Sequence, residues 1–169
     1  MTLGTHVVVG VAVAELFPSN PMVAFFAAFA SHFLLDAIPH WDYKLLSDYA
    51  NPEMAKYANN LKPSKLFLFD LMRIGFDVLL GIVIVMLVWP TKSFSQFEII
   101  LLGALGGALP DFLQFVYARF PRQPMVALQK FHEFIHAEYR LDGRPIIGIV
   151  SQSFVAIVVI LLAKYLIKI

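Results

Sequence analysis

Long apolar runs separated by short polar breaks dominate this chain of 169 residues. Three of the runs reach the roughly 20 residues that a helix needs to cross the hydrocarbon core of a bilayer. The second run is borderline in length, and the first is short. The predicted membrane segments are Leu3 to Phe17, Pro21 to Ile38, Leu66 to Trp89, Phe97 to Phe120 and Pro145 to Ile167.

The breaks between these runs indicate how the segments connect. Asn20 and Pro21 suit the N-cap and the first position of a helix, so the first two segments are expected to form a helical hairpin. The polar stretch from Pro39 to Lys65 is interpreted either as a short amphipathic helix at the membrane surface or as a solvated loop. In the fourth segment, Gly103 and Gly107 have the G-x-x-x-G spacing that favours close approach of a neighbouring helix.

Composition narrows the class of protein. Hydrophobic residues make up 59% of the chain and charged residues 15%, and the mean hydropathy is +0.73, which is typical of an integral membrane protein. We predict one all-α domain over residues 1–169, a polytopic helical bundle whose partner is the lipid bilayer. A net charge of +1 without a basic stripe gives no reason to expect nucleic acid. Because the chain has no cysteine, any metal is held by nitrogen and oxygen.

Lysine and arginine are distributed unequally between the two sides of the predicted membrane topology. If all five segments cross, nine of these residues share the side of the N-terminus and three lie on the other side. The positive-inside rule then places the N-terminal side in the cytoplasm. The nine are Lys44, Lys56, Lys62, Lys65, Arg119, Arg122, Lys130, Arg140 and Arg144, and the three are Lys92, Lys164 and Lys168.

All five histidines and most of the acids in the apolar segments are expected near this same side. A charged side chain at the bilayer centre costs about 2.5 to 3.5 kcal/mol on insertion scales unless it is paired or hydrated. A shared metal centre would explain the gathering, since a cation neutralises carboxylates and binds neutral imidazoles. The sequence therefore predicts a metal site at the cytoplasmic interface.

Local spacing supports this prediction at two places. His32 and Asp36 are four residues apart, which puts their Cβ atoms about 5 to 6 Å from each other on one helix face. Pro39 ends or bends that helix and turns His40 and Asp42 back toward the same place. Further along the chain, the i, i+4 spacing recurs in the pair His132 and His136.

Other polar residues have simpler alternatives. Asp70, Arg73 and Asp77 share a helix face and are interpreted as an intramembrane ion-pair ladder, in which Asp77 is the better candidate ligand. Asp111 is either a helix-start acid, a partner for Arg73 or a ligand. His6 is either a ligand or a residue that bonds a headgroup or backbone carbonyl.

The sequence from His132 to His136 also matches the H-E-x-x-H motif of zinc peptidases, in which the glutamate, here Glu133, is the general base. Leu141-Asp142-Gly143 resembles the LDG motif of intramembrane site-2 proteases. In that family, however, the aspartate comes from a distant helix, whereas Asp142 is six residues past His136. An intramembrane metallopeptidase is therefore an alternative that needs its third ligand from upstream.

Four stretches of this chain resemble the YdjM-like family of bacterial inner-membrane metal-dependent hydrolases. That family is similar to zinc-dependent phospholipase C and P1 nuclease, which are all-helical enzymes with His-x-x-x-Asp pairs around a cluster of metals. The stretches are THVVVG (Thr5 to Gly10), SHFLLDAIPHWD (Ser31 to Asp42), GALGGALPDFLQF (Gly103 to Phe115) and KFHEFIHAEY (Lys130 to Tyr139).

The resemblance implies a protein of the bacterial inner membrane with a phospholipase C/P1 nuclease-like core. That core would hold two or three divalent ions, for which zinc is the first candidate. The resemblance also implies hydrolysis of a phosphoester by metal-activated water, with Asp36 and Asp111 as the catalytic carboxylates. A site that opens among helices at headgroup depth favours a phospholipid or polyprenyl phosphate as substrate, with soluble phosphodiesters as the alternative. The non-enzymatic alternatives are a metal- or proton-handling membrane protein and a purely structural one. The implied metal ligands are His6, His32, Asp36, His40, Asp77, Asp111, His132 and His136.

Overall fold

Helices form all the regular structure in the part of the chain that the computed structural model describes, residues 1–47, 64–139, 141 and 143–168. The predicted all-α class and the five apolar helices are confirmed, with ends that differ by at most a few residues. A sixth helix, α5, occupies what was expected to be a connection. The helices are α1 (Leu3–Ala14), α2 (Pro21–Asp36), α3 (Lys65–Val88), α4 (Phe94–Arg119), α5 (Met125–Ile135) and α6 (Pro145–Ile167).

Side-chain caps define where three of these helices begin. The Asn20 side chain accepts a hydrogen bond from the Val23 N–H, and Pro21 is the first residue of α2 as predicted. Ser64 and Ser93 cap α3 and α4 in the same way. Each such cap contributes about 1 kcal/mol to helix stability.

Helix α1 lies at the centre of the bundle, where it contacts α2, α3, α4 and α6. Nine of its 12 residues are buried. The close approach predicted from the G-x-x-x-G spacing is confirmed: a Cβ atom at Gly103 would lie 2.7 Å from the Val11 Cα, and one at Gly107 would overlap the His6 carbonyl oxygen. These contacts fix the position of α1 against α4, and therefore the position of His6 within the bundle.

Within the described part of the chain, three helices, α3, α4 and α6, are long and apolar enough to cross a membrane. Helices α1 and α2 are shorter, with 12 and 16 residues. Large apolar side chains cover the outward faces of α3 and α6, and Leu87 and Ile146 are 79% and 78% exposed. Apolar faces of this extent match a lipid environment rather than water. The long apolar helices and the exposed apolar faces are therefore those of a membrane protein.

Of the predicted ion-pair ladder on α3, the Asp70–Arg73 pair is present, and both acids of the ladder also bind neighbouring backbone. The Asp70 carboxylate accepts hydrogen bonds from the N–H groups of Leu46 and Ser47 at 2.8 to 3.0 Å. Arg73 lies 4.0 Å from Asp70, while Asp77 accepts from the Gly4 N–H at 2.9 Å. These contacts hold the segment after α2, and the start of α1, against α3. Most of the polar stretch for which an interfacial helix or a loop was expected, residues 48–63, lies outside the described residues.

Candidate metal centre

Asp36, the last residue of α2, lies at the centre of a cluster of imidazoles and is 1% exposed. Its Oδ2 atom is 3.0 Å from His32 Nε2 and 2.8 Å from His132 Nε2. Its Oδ1 atom is 3.2 Å from His6 Nε2 and 3.8 Å from His40 Nε2. The two oxygens of one buried carboxylate thus face different pairs of histidines.

Backbone contacts bring the second half of the chain to Asp36. The Ala137 N–H donates to the Asp36 carbonyl at 2.8 Å, and the Leu141 N–H donates to the His40 carbonyl at 2.9 Å. The segment after α5 therefore runs beside the end of α2. As a result, the ring of His136 lies 4.8 Å from the ring of His40.

Among the residues that the structure describes, two groups of side chains have ligand atoms close enough to hold a metal ion. Within each group, one ligand atom per residue lies within 4.8 Å of all the others. Asp36 belongs to both groups, so the pair of sites shares one carboxylate. The predicted convergence of distant histidines and acids on one place is present in the structure. The first group is His32, Asp36, Asp111 and His132, and the second is Asp36, His40 and His136.

Two of the histidines are oriented by hydrogen bonds at their outer nitrogen. His32 Nδ1 lies 2.8 Å from the Gly107 carbonyl oxygen, and His40 Nδ1 lies 2.7 Å from the Ile38 carbonyl oxygen. A carbonyl can only accept, so each Nδ1 carries the proton and each Nε2 directs its lone pair into the cluster. Metal-binding histidines in proteins are commonly held in this way.

Several buried nitrogens in the cluster are without a hydrogen bond among the described residues. They are both ring nitrogens of His6 and the Nε2 of His40. An unsatisfied buried polar atom costs about 1 to 3 kcal/mol, and a bound cation would satisfy the one ring nitrogen of each neutral imidazole that carries a lone pair. Burial lowers the pKa of His40 from 6.5 to about 4, which keeps this imidazole neutral and able to bind metal. The donor set therefore fits a divalent ion that accepts nitrogen and oxygen ligands.

Asp111 lies between the histidine cluster and an adjoining cavity. Its Oδ1 lies 3.6 Å from His32 Nε2, and its side chain is 27% exposed. A cavity of about 300 Å³ between α3 and α4 reaches Asp111, with Ile74 and Phe112 among its apolar walls. Gln114 donates a hydrogen bond to the same Asp111 oxygen at 2.9 Å. Sequence analysis did not identify Gln114, because one glutamine on an apolar helix carries no spacing signal.

Sequence analysis also missed two backbone groups at the cluster. The Gly107 carbonyl orients His32, and the Met1 amino group lies 2.7 Å from Asp36 Oδ1. Neither group has a side-chain signature that a motif could reveal. Of the two, Gly107 was identified only as a packing residue.

Three acids named from the sequence stand apart from the two ligand groups. Asp77 is committed to the Gly4 N–H at the first turn of α1. Asp42, expected to turn toward the cluster, accepts from the adjacent Tyr43 N–H. Glu133 is exposed and accepts a hydrogen bond from Gln129 at 3.0 Å. Asp142 of the LDG sequence lies outside the described residues.

No family model, curated protein or solved structure matches this chain. The resemblance to the YdjM-like family and to phospholipase C therefore stays a prediction. Any functional inference depends on the geometry of the cluster itself.

Proposed function

We propose that this protein is a membrane-embedded, metal-dependent phosphoester hydrolase. Two divalent ions, for which zinc is the first candidate, would lie on either side of Asp36. The observation that carries the proposal is the single buried carboxylate shared by two groups of histidine ligands. Binuclear sites of this kind, with ions about 3.5 to 4 Å apart, recur in phosphatases and nucleases.

The ligands divide according to the oxygen of Asp36 that they face. On the Oδ2 side, His32 and His132 would hold one ion together with Asp111. On the Oδ1 side, His40 and His136 would hold the other, and His6, which faces the same oxygen at 3.2 Å, would be a further donor. Asp77 is left out of this set because its carboxylate is used by α1. When bound, the ions supply a water that loses its proton near neutral pH and positive charge that stabilises the phosphoryl oxygens.

The residues at the open side of the cluster fit this chemistry. Asp111 is the partly exposed carboxylate, so it is placed to accept the proton of an attacking water and to orient that water. Gln114 holds Asp111 in position. The apolar walls of the adjoining cavity favour a substrate with a hydrocarbon part, such as a phospholipid or polyprenyl phosphate, over a soluble phosphodiester. The charge distribution favours a site on the cytoplasmic face of a bacterial inner membrane.

The geometry favours this reaction over the two main alternatives. In a zinc peptidase the glutamate of H-E-x-x-H acts on water at the metal, whereas Glu133 is exposed and bonded to Gln129. An ion path would need polar groups across the membrane, whereas the outer part of α6, from Phe154 to Leu162, is apolar.

A substrate panel with the Glu133→Gln variant tests the proposal. Purified protein with zinc is expected to hydrolyse bis-p-nitrophenyl phosphate or phosphatidic acid in mixed micelles and to leave casein intact. Activity is expected to be lost with a chelator and to be retained within about two-fold in Glu133→Gln, since an exposed glutamate does not touch the ions. Casein cleavage that disappears in Glu133→Gln would establish the peptidase instead.

The two ions should be separable by mutation. His136→Ala removes a ligand on the Oδ1 side only, so we expect the metal content to fall from two ions toward one per chain. Glu133→Ala on the same helix is the matched control and should leave both ions bound. Inductively coupled plasma mass spectrometry after dialysis measures the content. Loss of both ions in His136→Ala, or of neither, would argue against two sites divided at Asp36.

A further inference from the structure

A second and larger cavity, of about 770 Å³, lies between α3 and α6, with α1 as its floor. None of the proposed metal ligands lines it. Its floor depends on small residues: a Cβ atom at Gly81 would lie 2.8 Å from the Gly4 carbonyl oxygen. The cavity is thus a feature of how α1 packs beneath the two outer helices.

The cavity is elongated along α3. Its lining residues on this helix run from Met72 to Ile84, which corresponds to about 18 Å at 1.5 Å per residue. That length exceeds half of the roughly 30 Å hydrocarbon core of a bilayer. It therefore matches one lipid chain in one leaflet.

The side of the cavity opens where lipid is expected. The lining side chains of Phe76, Leu80 and Ile157 are 70%, 51% and 54% exposed. They belong to α3 and α6, which are two of the three helices able to cross a membrane. An occupant that enters between these helices comes from the hydrocarbon phase.

One end of the cavity is polar and carries a cation, Arg73, together with an acid, Asp77, whose carboxylate accepts a hydrogen bond from the Gly4 N–H. Gln152 is satisfied there by the Thr2 N–H at 3.1 Å and the Trp41 carbonyl at 2.6 Å. The Arg73 side chain, 34% exposed, donates one hydrogen bond to the Lys44 carbonyl at 3.2 Å. Its guanidinium also lies 5.0 Å from the ring centre of Tyr43. The nitrogen that donates to Lys44 is also the one that lies 4.0 Å from Asp70 Oδ1. Since guanidinium has five N–H donors on three nitrogens, Arg73 retains donors for an anionic oxygen at the mouth of the cavity.

We propose that this cavity is a binding site for the hydrocarbon chain of a phosphate-bearing membrane lipid, with Arg73 binding the phosphate. The site is separate from the metal cluster and requires no metal, so it goes beyond the proposed hydrolase function. Its occupant is defined by a chain of leaflet length and an anionic head.

Binding of three probes to chelator-treated protein tests the proposal. The probes are hexadecyl phosphate, ethyl phosphate and the neutral hexadecyl maltoside, and bound ligand is measured by mass spectrometry of protein released from a short-chain neutral detergent. Wild-type protein is expected to retain one hexadecyl phosphate and no ethyl phosphate. Equal retention of ethyl phosphate would mean that the chain is not recognised and would overturn the proposal.

Matched variants locate the site. Leu80→Trp fills the cavity and is expected to weaken hexadecyl phosphate binding at least about ten-fold through lost apolar contact. Leu79→Trp is the control, because Leu79 is similarly exposed at 56% but does not line the cavity. Ile157→Trp and its neighbour Val158→Trp repeat the comparison from α6. Undiminished binding in both cavity variants, or equal losses in both controls, would contradict the assignment.

The role of Arg73 has its own readout. Arg73→Gln is expected to weaken hexadecyl phosphate binding about ten-fold through loss of a charge-assisted hydrogen bond, and to leave hexadecyl maltoside binding unchanged. Equal effects on the binding of both probes, or no effect on either, would show that Arg73 does not recognise the phosphate group. Because metal is removed throughout, absence of hydrolase activity would leave this result unaffected.

Discussion

Replacement of Asp36 by asparagine is expected to remove metal from both sites at once. Asparagine keeps the shape of the side chain but loses the negative charge and one of the two ligating oxygens that face His32 and His6. We expect metal affinity to fall by more than about 100-fold, or about 2.7 kcal/mol, with hydrolysis falling to background. Equilibrium dialysis against a zinc chelator series, followed by metal analysis, measures the change.

Asp77→Asn is the matched control for this experiment. Asp77 is also an acid in an apolar helix and accepts a backbone hydrogen bond from Gly4, which the amide oxygen of asparagine can still accept. Both variants therefore remove one charge, but only one of them touches the cluster. Far-UV circular dichroism checks that each remains helical. If Asp77→Asn loses metal as strongly as Asp36→Asn, the ligand set derived from the structure is wrong.

Substitution of Gly107 by alanine is expected to damage both the fold and the metal site. The added Cβ atom would overlap the His6 carbonyl oxygen, so α1 must move away from α4. Overpacking of this kind costs about 1 to 3 kcal/mol in unfolding free energy. Because the Gly107 carbonyl also orients His32, we expect metal affinity to fall about 10- to 100-fold, as when outer hydrogen bonds to metal ligands are lost.

Gly75→Ala separates this effect from a general effect of glycine substitution. A Cβ atom at Gly75, in the middle of α3, meets nothing within 4 Å. Its unfolding free energy should change by less than about 1 kcal/mol, the range of helix propensity between glycine and alanine. Thermal unfolding monitored by circular dichroism, with and without zinc, compares the two variants. Equal melting temperatures and metal contents in Gly107→Ala and wild type would contradict the packing account.

Helix positions were predictable because their signals are local. Apolar runs bounded by caps such as Asn20 place the ends of the apolar helices within a few residues. Helix α5 was missed because it has only 11 residues and lies in a polar connection. A short helix of this kind is stabilised mainly by tertiary contacts, which the local sequence does not display.

The composition of the cluster was predictable only in part. The i, i+4 spacing identified the pair His32 and Asp36 and also the pair His132 and His136, all of which belong to the ligand groups, but it did not show how the second pair divides between the groups. His136 ends α5 with a ψ of 133°, which is not helical, so the two histidines contribute to different ligand groups. Spacing also could not rank Asp77 against Asp111, because the choice depends on which acid the backbone of α1 already occupies.

The central position of α1 has a consequence for biogenesis. A helix of 12 residues is too short to cross a bilayer alone, and although His6 faces Asp36 of α2, the histidines His132 and His136 emerge only with α5 and the residue after it. Cations held between Asp36 and these histidines would act as cross-links that oppose opening of the long stretch of chain between them. Metal binding would then require that insertion of the chain be complete. A nascent chain stalled before α5 would lack these cross-links.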